Sequence, residues 1–121
     1  MGYHCQLLDP ETNEELTIDE PHHIKGGTYQ LGGTKELWTS ITSNYARFYY
    51  TEKLDKERGL NVLNGMTGEQ SIPVLEKAIS QMEGKPTDNY WDGTEGNAKK
   101  ALFSLLELAK LGPQGVWEIE H

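Results

Sequence analysis

Apolar residues in the second half of the chain recur at the spacing expected of amphipathic helices. Over 67–83 the apolar stripe consists of Ile72, Leu75, Ile79 and Met82. The steps i, i+3, i+7 and i+10 place these residues on one helix face. Thr67, followed three positions later by Gln70, resembles a capping box and marks the start of the helix. Pro73 is then expected in the first turn, where no amide donor is lost.

A second amphipathic pattern predicts a helix over 94–111. Its core-facing positions are Ala98, Ala101, Leu102, Leu105, Leu106 and Ala109. Gly112 and Pro113 end this helix, because neither residue favours a further helical turn. The remaining tail, 112–121, carries Trp117 among other apolar residues. We therefore expect the tail to dock on the domain as a short edge strand or a lid.

The segment 1–44 lacks this helical period and alternates short apolar stretches with turn residues, which predicts mainly β-hairpins. A strand over 3–8 is followed by turn residues at 9–13, where proline fixes φ and aspartate or asparagine bonds the local backbone. A second strand, roughly 15–19, is expected to pair back antiparallel on the first.

Another hairpin is predicted around Gly32 and Gly33. Both glycines adopt positive φ easily, as a tight turn requires, and they separate a β-prone segment over 28–31 from an alternating segment over 34–43. A phosphate-cradling loop is the alternative interpretation of this glycine pair.

The segment 45–66 is expected to be irregular, with short helices. Tyr45, Phe48 and Tyr49 have helical spacing, although their aromatic density also suits a strand. The elements together predict a single compact α+β domain over 1–121. Its antiparallel sheet comes from the N-terminal third, and two amphipathic C-terminal helices pack on that sheet.

The charge balance narrows the classes of function. The chain has 11 lysines and arginines against 19 aspartates and glutamates, a formal net charge of -8. That sign repels phosphate backbones and anionic lipids, so general nucleic-acid binding is not expected. No apolar run approaches the ~20 residues of a membrane span. Cys5 is the single cysteine, which excludes an internal disulfide, and the absence of a signal-peptide pattern predicts a cytoplasmic protein.

The spacing of the candidate residues gives little support for a metal site or a catalytic site. His22 and His23 are adjacent, so on an extended chain they point to opposite sides and do not easily share one ion. A nucleophile built from Cys5 and a histidine is formally conceivable, but a lone cysteine more often packs as a small hydrophobe. Asp92 and Glu95 form a carboxylate pair at a helix start, where the helix dipole favours acids anyway. We therefore predict no metal, no cofactor and no catalytic residues.

Aromatic and basic residues together make the strongest candidate site. The predicted ligand-binding residues are His22, His23, Lys25, Trp38, Tyr45, Arg47, Trp91, Asn97 and Lys99, with Tyr49 and Lys100 as further members of the group. The rings would stack on a base, the amides at the start of the last helix would hold an anion with the lysines, and the histidines would form the rim. The alternative is that the rings are core and the lysines a solvated helix face.

Four segments of the chain carry a resemblance to a known family. They are IKGGTY (24–29), TGEQSIPVLEKAI (67–79), NYWDGTEGNAKKAL (89–102) and GPQGVW (112–117). In them the chain resembles a family of small, uncharacterised proteins of bacteria and their phages that has no established activity, and the stretch Thr94–Lys99 is the most specific part. The resemblance implies a stand-alone domain acting inside a bacterial host cell. Small phage proteins of this kind are often inhibitors or sponges of host defence.

Three classes of function remain open. The first is a non-catalytic protein that sequesters a small nucleotide-derived immune signal, within one chain or between the protomers of a homo-oligomer. The second is an inhibitor whose acidic surface docks on a basic host protein, which the net charge favours. The third is a small hydrolase, disfavoured because no nucleophile, base and orienting group occur together.

Overall fold

The computed structural model describes residues 2–27 and 30–121. The strands are β1 (Gly2–Leu8), β2 (Thr17–His22), β3 (Thr34–Glu36), β4 (Trp38–Thr42) and β5 (Val116–Glu120). The α-helices are α1 (Ala46–Tyr49), α2 (Gly68–Gln81) and α3 (Glu95–Leu111), and two 3-10 helices cover Ser43–Tyr45 and Gly59–Leu63. The chain has the predicted α+β fold, with an antiparallel sheet and two C-terminal helices.

Strand β1 is the centre of a three-stranded antiparallel sheet with the order β4-β1-β5. Cys5 of β1 lies opposite Thr39 of β4 and Ile119 of β5, and all three side chains are buried. Because successive side chains of a strand point to opposite faces, one face of this sheet forms the core with the helices. The C-terminal tail is therefore an edge strand, and it completes a sheet whose other strands come from the N-terminal third.

Helix α3 is the main apolar support of the sheet. The six residues predicted to face the core are all buried, and Leu108 is buried with them. The helix contacts α2, β1 and β4. It begins after Thr94, whose hydroxyl accepts from the amide of Asn97, and Gly112 caps its end. The local start and stop signals in the sequence thus fix both ends of α3.

A capping box sets the start of α2. The amide of Thr67 donates to Oε1 of Gln70 at 3.0 Å, and the amide of Gln70 donates to Oγ1 of Thr67 at 3.1 Å. With Gly68 as the first helical residue, Pro73 lies in the second turn, so its predicted place in the first turn is wrong. Its ring removes the amide that would have bonded the carbonyl of Glu69.

The predicted hairpin between 3–8 and 15–19 forms only next to its turn. Leu8 bridges Glu15, and the amide of Leu16 donates to the carbonyl of Leu7 at 2.9 Å, but β2 itself pairs with β3. The reason is that β4 covers this edge of β1 as far as Gln6, so the chain turns back only on the last two residues of β1.

The predicted strand over 34–43 is divided at Leu37. The amide of Leu37 donates to the carbonyl of Leu16 at 2.9 Å, and its carbonyl accepts from the amide of Leu7 at 3.0 Å. Leu37 therefore passes the chain from the β2-β3 pair to the central sheet.

The glycine pair before β3 has the predicted backbone conformation but closes a different turn. Gly32 and Gly33 have φ of 85° and 82°, as expected for turn residues. The turn is closed by the amide of Gly33, which donates to the carbonyl of Gln30 at 3.0 Å. The strand predicted over 28–31 lies partly outside the described residues, and Gln30 and Leu31 are not in a strand.

The outer edge of β5 is paired within the chain. The amide of Trp117 donates to the carbonyl of Met66 at 2.9 Å, and its carbonyl accepts from the amide of Gly65 at 3.1 Å. The side chain of Asn64 accepts from the amide of Ile119 at 2.6 Å and donates to its carbonyl at 3.3 Å. This edge is thereby closed to a further strand.

Candidate functional site

Two loops meet on the outer edge of β4. The loop after β2 reaches it through Gly27, whose amide donates to the carbonyl of Ser40 at 3.3 Å. The loop between α2 and α3 reaches it through Tyr90. Its hydroxyl donates to the same carbonyl at 3.2 Å and accepts from the amide of Thr42 at 2.8 Å. These bonds fix both loops against the strand.

The glycine pair Gly26–Gly27 is a close-packing feature of this edge. A Cβ atom at Gly26 would lie 1.8 Å from the carbonyl oxygen of Ser40 and 2.7 Å from Oγ1 of Thr39. A Cβ atom at Gly27 would lie 3.1 Å from the indole of Trp91. Glycine is needed here because the loop backbone lies directly on β4.

Asn97 braces the loop over 87–92. Its Oδ1 accepts from the amide of Thr87 at 2.8 Å. Its Nδ2 lies 3.0 Å from each of three acceptors, which are Oγ1 of Thr87 and the carbonyls of Asn89 and Asp92. Asn97 is 4% exposed, and its side-chain amide has no free hydrogen for a further acceptor.

The braced loops enclose the Lys25–Lys100 cavity, which has a volume of about 200 Å³. Strand β4 lines it with Thr39, Ser40 and Ile41, and α3 lines it with Asn97, Lys100, Ala101 and Ser104. The other walls are Lys25, Gly26, Tyr45, Thr87, Asp88 and Tyr90. The cavity thus lies between the sheet and the first half of α3.

The chemistry of the Lys25–Lys100 cavity suits a small polar anion. Its lining includes two lysines and one carboxylate, Asp88, on a chain whose net charge is -8. Oγ1 of Thr39 is buried and has no hydrogen-bond partner among the described residues. A buried hydroxyl without a partner costs free energy, which makes this part of the cavity wall unfavourable as it stands.

Buried tyrosines next to the cavity stay protonated at neutral pH. Burial raises the pKa of Tyr45 to about 12, and its hydroxyl donates to the carbonyl of Tyr90. Burial raises the pKa of Tyr49 well above its usual value, and its hydroxyl donates to the carbonyl of Ala98 at 3.0 Å. These rings therefore hold α1 against α3 and the adjoining loop as neutral donors.

The raised tyrosine pKa values predict alkaline unfolding. An unfolded tyrosine has a pKa of about 10, whereas burial raises the pKa of Tyr3 and Tyr45 to about 12. Their stabilisation is therefore complete below about pH 10 and is lost as the pH rises from there through about 12. We expect the urea midpoint to fall across this range, and to fall less in Tyr45→Phe. An equal fall in Tyr45→Phe would contradict a role for this phenol.

The N-terminus of α3 is closed by contacts within the chain. The hydroxyl of Thr94 accepts from the amide of Asn97 at 3.2 Å, and the carbonyl of Thr94 accepts from the amide of Ala98 at 3.0 Å. Glu95 forms an ion pair with Lys53 at 2.8 Å, and this hydrogen bond holds the pKa of Glu95 below its usual value. The anion site predicted at these amides therefore lacks free donors at Asn97 and Ala98.

The structure brings four of the predicted site residues to two adjoining cavities. Lys25, Tyr45 and Asn97 line the Lys25–Lys100 cavity. Trp91 lines a second one, the His4–Trp91 cavity, which has a volume of about 310 Å³. The lining of the second cavity is Gly2, Tyr3, His4, Gly27, Ser40, Ile41, Thr42 and Trp91.

The two predicted rim histidines line neither cavity. His22 is buried, with Nε2 2.7 Å from the carbonyl oxygen of Glu36, and its Nδ1 accepts from the amide of Ile24 at 3.3 Å. It therefore ties the β2-β3 pair together. His23 is exposed.

Three other predicted residues also lie outside the two cavities. Trp38 stacks on His4 with the ring centroids 5.2 Å apart. Nη2 of Arg47 donates to the carbonyl of Gly93 at 2.9 Å. Lys99 is half-buried on α3 and neighbours Lys100, which does line a cavity. A ligand-binding role for these residues stays a prediction.

Several cavity residues are absent from the predicted site, among them Thr39, Tyr90 and Ser104. Ser104 lies seven positions after Asn97, with Lys100 between them, so their shared helix face is a signal that the sequence contains. Tyr90 adjoins Trp91 in the same loop. Thr39 carries no such signal, because its alternation in the strand predicts only that it faces the core.

The described residues offer no metal cluster and no reactive thiol. In 2–27 and 30–121, no group of three or more histidine, cysteine, aspartate or glutamate side chains could hold a metal ion. Cys5 is fully buried, and burial raises the pKa of its thiol. No helix in the same residues is long and apolar enough to cross a bilayer.

Comparisons with protein-family models, with curated proteins and with solved structures find no match to this chain. The geometry of the two cavities is therefore the main guide to function.

Proposed function

We propose that the protein is a non-catalytic, phage-type binding protein that sequesters a small nucleotide-derived signal of host immunity. The Lys25–Lys100 cavity would hold the phosphorylated sugar of this ligand. The biological setting follows from the resemblance to small phage proteins, and the ligand chemistry follows from the cavity.

The observation that carries the proposal is the pairing of two lysines with a buried, unpartnered hydroxyl. Lys25 and Lys100 line the same cavity as Thr39, whose Oγ1 has no partner in the described part of the chain. Ammonium groups attract phosphate, and the hydroxyl groups of the lining match those of a sugar.

The volume of the Lys25–Lys100 cavity limits the size of the ligand that it can enclose. About 200 Å³ is below the roughly 300–1,000 Å³ of sites that enclose drug-sized ligands. A ribose phosphate group is therefore a better match than a complete dinucleotide.

The lining favours binding over catalysis. The described residues around the cavity include no histidine and no cysteine, and the buried Cys5 thiol is not a nucleophile. Asp88 is the one carboxylate among them, and it is exposed. An assembled nucleophile and base, which a hydrolase needs, is not supported by these residues.

A matched pair of lysine variants tests the proposal. Wild type, Lys100→Glu and Lys99→Glu are titrated calorimetrically with cyclic dinucleotides, ADP-ribose derivatives and ribose 5-phosphate. Lys100→Glu should weaken binding roughly tenfold or more by charge reversal. Lys99→Glu should change it much less, because Lys99 carries the same charge outside the cavity. No heat from any compound with wild type, or equal losses in both variants, would reject the proposed site.

An acidic protein-interaction inhibitor is the second candidate, and a separate observation favours it. Five exposed acidic residues lie before and along β2: Glu11, Glu14, Glu15, Asp19 and Glu20. Such a surface suits a basic host protein. For this function Lys100→Glu has the opposite expected effect, because added negative charge leaves partner binding equal or stronger.

A further inference from the structure

The His4–Trp91 cavity adjoins the anion site and differs from it in chemistry. The two cavities share Ser40 and Ile41. The described residues that line the His4–Trp91 cavity include no lysine, arginine or carboxylate, but they do include an indole and an imidazole. We propose that this cavity binds a planar, uncharged heterocycle of the nucleobase type, stacked on Trp91.

Trp91 is exposed yet held in place. Its side chain is 54% exposed, which is unusual for so large an apolar group. Its carbonyl accepts from Nδ2 of Asn44 at 2.8 Å, and its amide donates to Oδ1 of Asn89 at 3.1 Å. The indole packs edge-on against Tyr90, with the centroids 4.9 Å apart. A ring that is ordered before binding loses little conformational entropy when a ligand stacks on it.

His4 supplies a second ordered ring. Its imidazole stacks on Trp38 with an interplanar angle of 22°, and Nε2 lies 3.3 Å from Oε1 of Gln6. The cavity therefore combines an exposed stacking surface with an imidazole that can exchange hydrogen bonds with a heterocycle. This combination is typical of sites that hold a base by its face and its edge.

The nucleobase class rests on the proposed function, because a nucleotide-derived ligand contains both a phosphate and a base. The two cavities can nevertheless be tested separately, since a neutral nucleoside carries no phosphate for Lys100. Adenosine, guanosine, cytidine and uridine are therefore the probes, and ribose 5-phosphate is the matched probe of the anion site.

The experiment compares wild type, Trp91→Leu, Trp91→Phe and Lys110→Glu by calorimetric titration with the four nucleosides. Trp91→Leu should weaken nucleoside binding about 5- to 150-fold, the range expected for loss of one stacked base. Trp91→Phe keeps a ring and should retain most of the affinity. Lys110→Glu, at the far end of α3 and outside the lining of both cavities, should leave nucleoside binding unchanged. Thermal unfolding of each variant checks that the fold is intact.

Each outcome decides the inference. Nucleoside binding that is lost in Trp91→Leu and kept in Lys110→Glu supports the ring site, even if ribose 5-phosphate fails to bind and the anion site is rejected. No binding of any nucleoside to wild type overturns it. Equal affinity in wild type and Trp91→Leu also overturns the inference, because the nucleobase would then bind away from Trp91.

Discussion

Replacing Leu105 with alanine should lower the free energy of unfolding by roughly 2 to 5 kcal/mol. Leu105 is 0% exposed and belongs to the single core formed by the helices and the sheet. The substitution removes buried methyl groups and leaves a cavity that α3 cannot close by itself, because Leu102 and Leu106 are already buried beside it. Urea denaturation followed by circular dichroism measures the loss.

Phe103→Ala is the matched control for Leu105→Ala. Phe103 lies on the same helix two residues earlier but is 44% exposed, so its ring transfers far less apolar surface from water. We expect a change below about 1 kcal/mol. Equal shifts of the urea midpoint in the two variants would show that the buried face of α3 is wrongly assigned.

Replacing Asn97 with alanine should loosen the loop over 87–92 and cost roughly 1 to 3 kcal/mol of stability. The substitution removes the bonds to Thr87, Asn89 and Asp92 together. Since the loop carries Tyr90 to β4, the cavity wall should open as well. Faster amide hydrogen exchange at Thr87 and Thr42, together with weaker ligand binding, is the expected result.

The variant Asn97→Asp tests whether the loop is held by the hydrogen bonds of Asn97 or by the volume of its side chain. Aspartate keeps the shape and the acceptor for the amide of Thr87, but it loses the donor that faces three oxygen acceptors. Placing a carboxylate against these oxygens is unfavourable, so Asn97→Asp should destabilise at least as much as Asn97→Ala. An unchanged urea midpoint in Asn97→Asp would show that the hydrogen bonds donated by Asn97 contribute little to stability.

The helices were predictable because their signals are local. The capping box of Thr67 and Gln70, and the apolar positions from Ala98 to Ala109, lie within a few turns of one another. Proline tolerance by itself predicts a first-turn position for Pro73, whereas the cap at Thr67 puts it in the second turn. The cap contributes two hydrogen bonds at the helix start, whereas a proline in the second turn removes one.

Strand pairing was less accessible from the sequence. Alternation shows which side chains of a strand face the core, but it does not say which strand lies beside it. β1 pairs with residues far along the chain in both directions, at Ile41 and at Trp117. Turn residues at 9–13 predict pairing with the nearer segment at 15–19, but the distant partners leave it only the end of β1.

The candidate site, like the strand pairing, could be predicted only in part from the sequence. Residue type identified lysines and rings, and the structure places Lys25, Lys100 and Tyr45 around one cavity. Residue type did not separate an amide that binds a ligand from one that braces a loop. The sequence predicts an anion at the backbone amides that begin α3, yet the amide of Asn97 donates to Thr94 and its side chain is committed to neighbouring loop atoms. That commitment arises only when distant loops fold onto α3.

Both borders of the central sheet are paired within the chain, which affects the concentration that the protein can reach before it aggregates. The sequestering function proposed above works by stoichiometry, one molecule for each signal removed, so it would require the protein to accumulate to the concentration of its target. Exposed strand borders at such concentrations template aggregation. Here Asn64, Gly65 and Met66 cover one border, and Gly27 and Tyr90 cover the other. Neither border of the central sheet is therefore an open template for aggregation, and a net charge of -8 adds repulsion between copies.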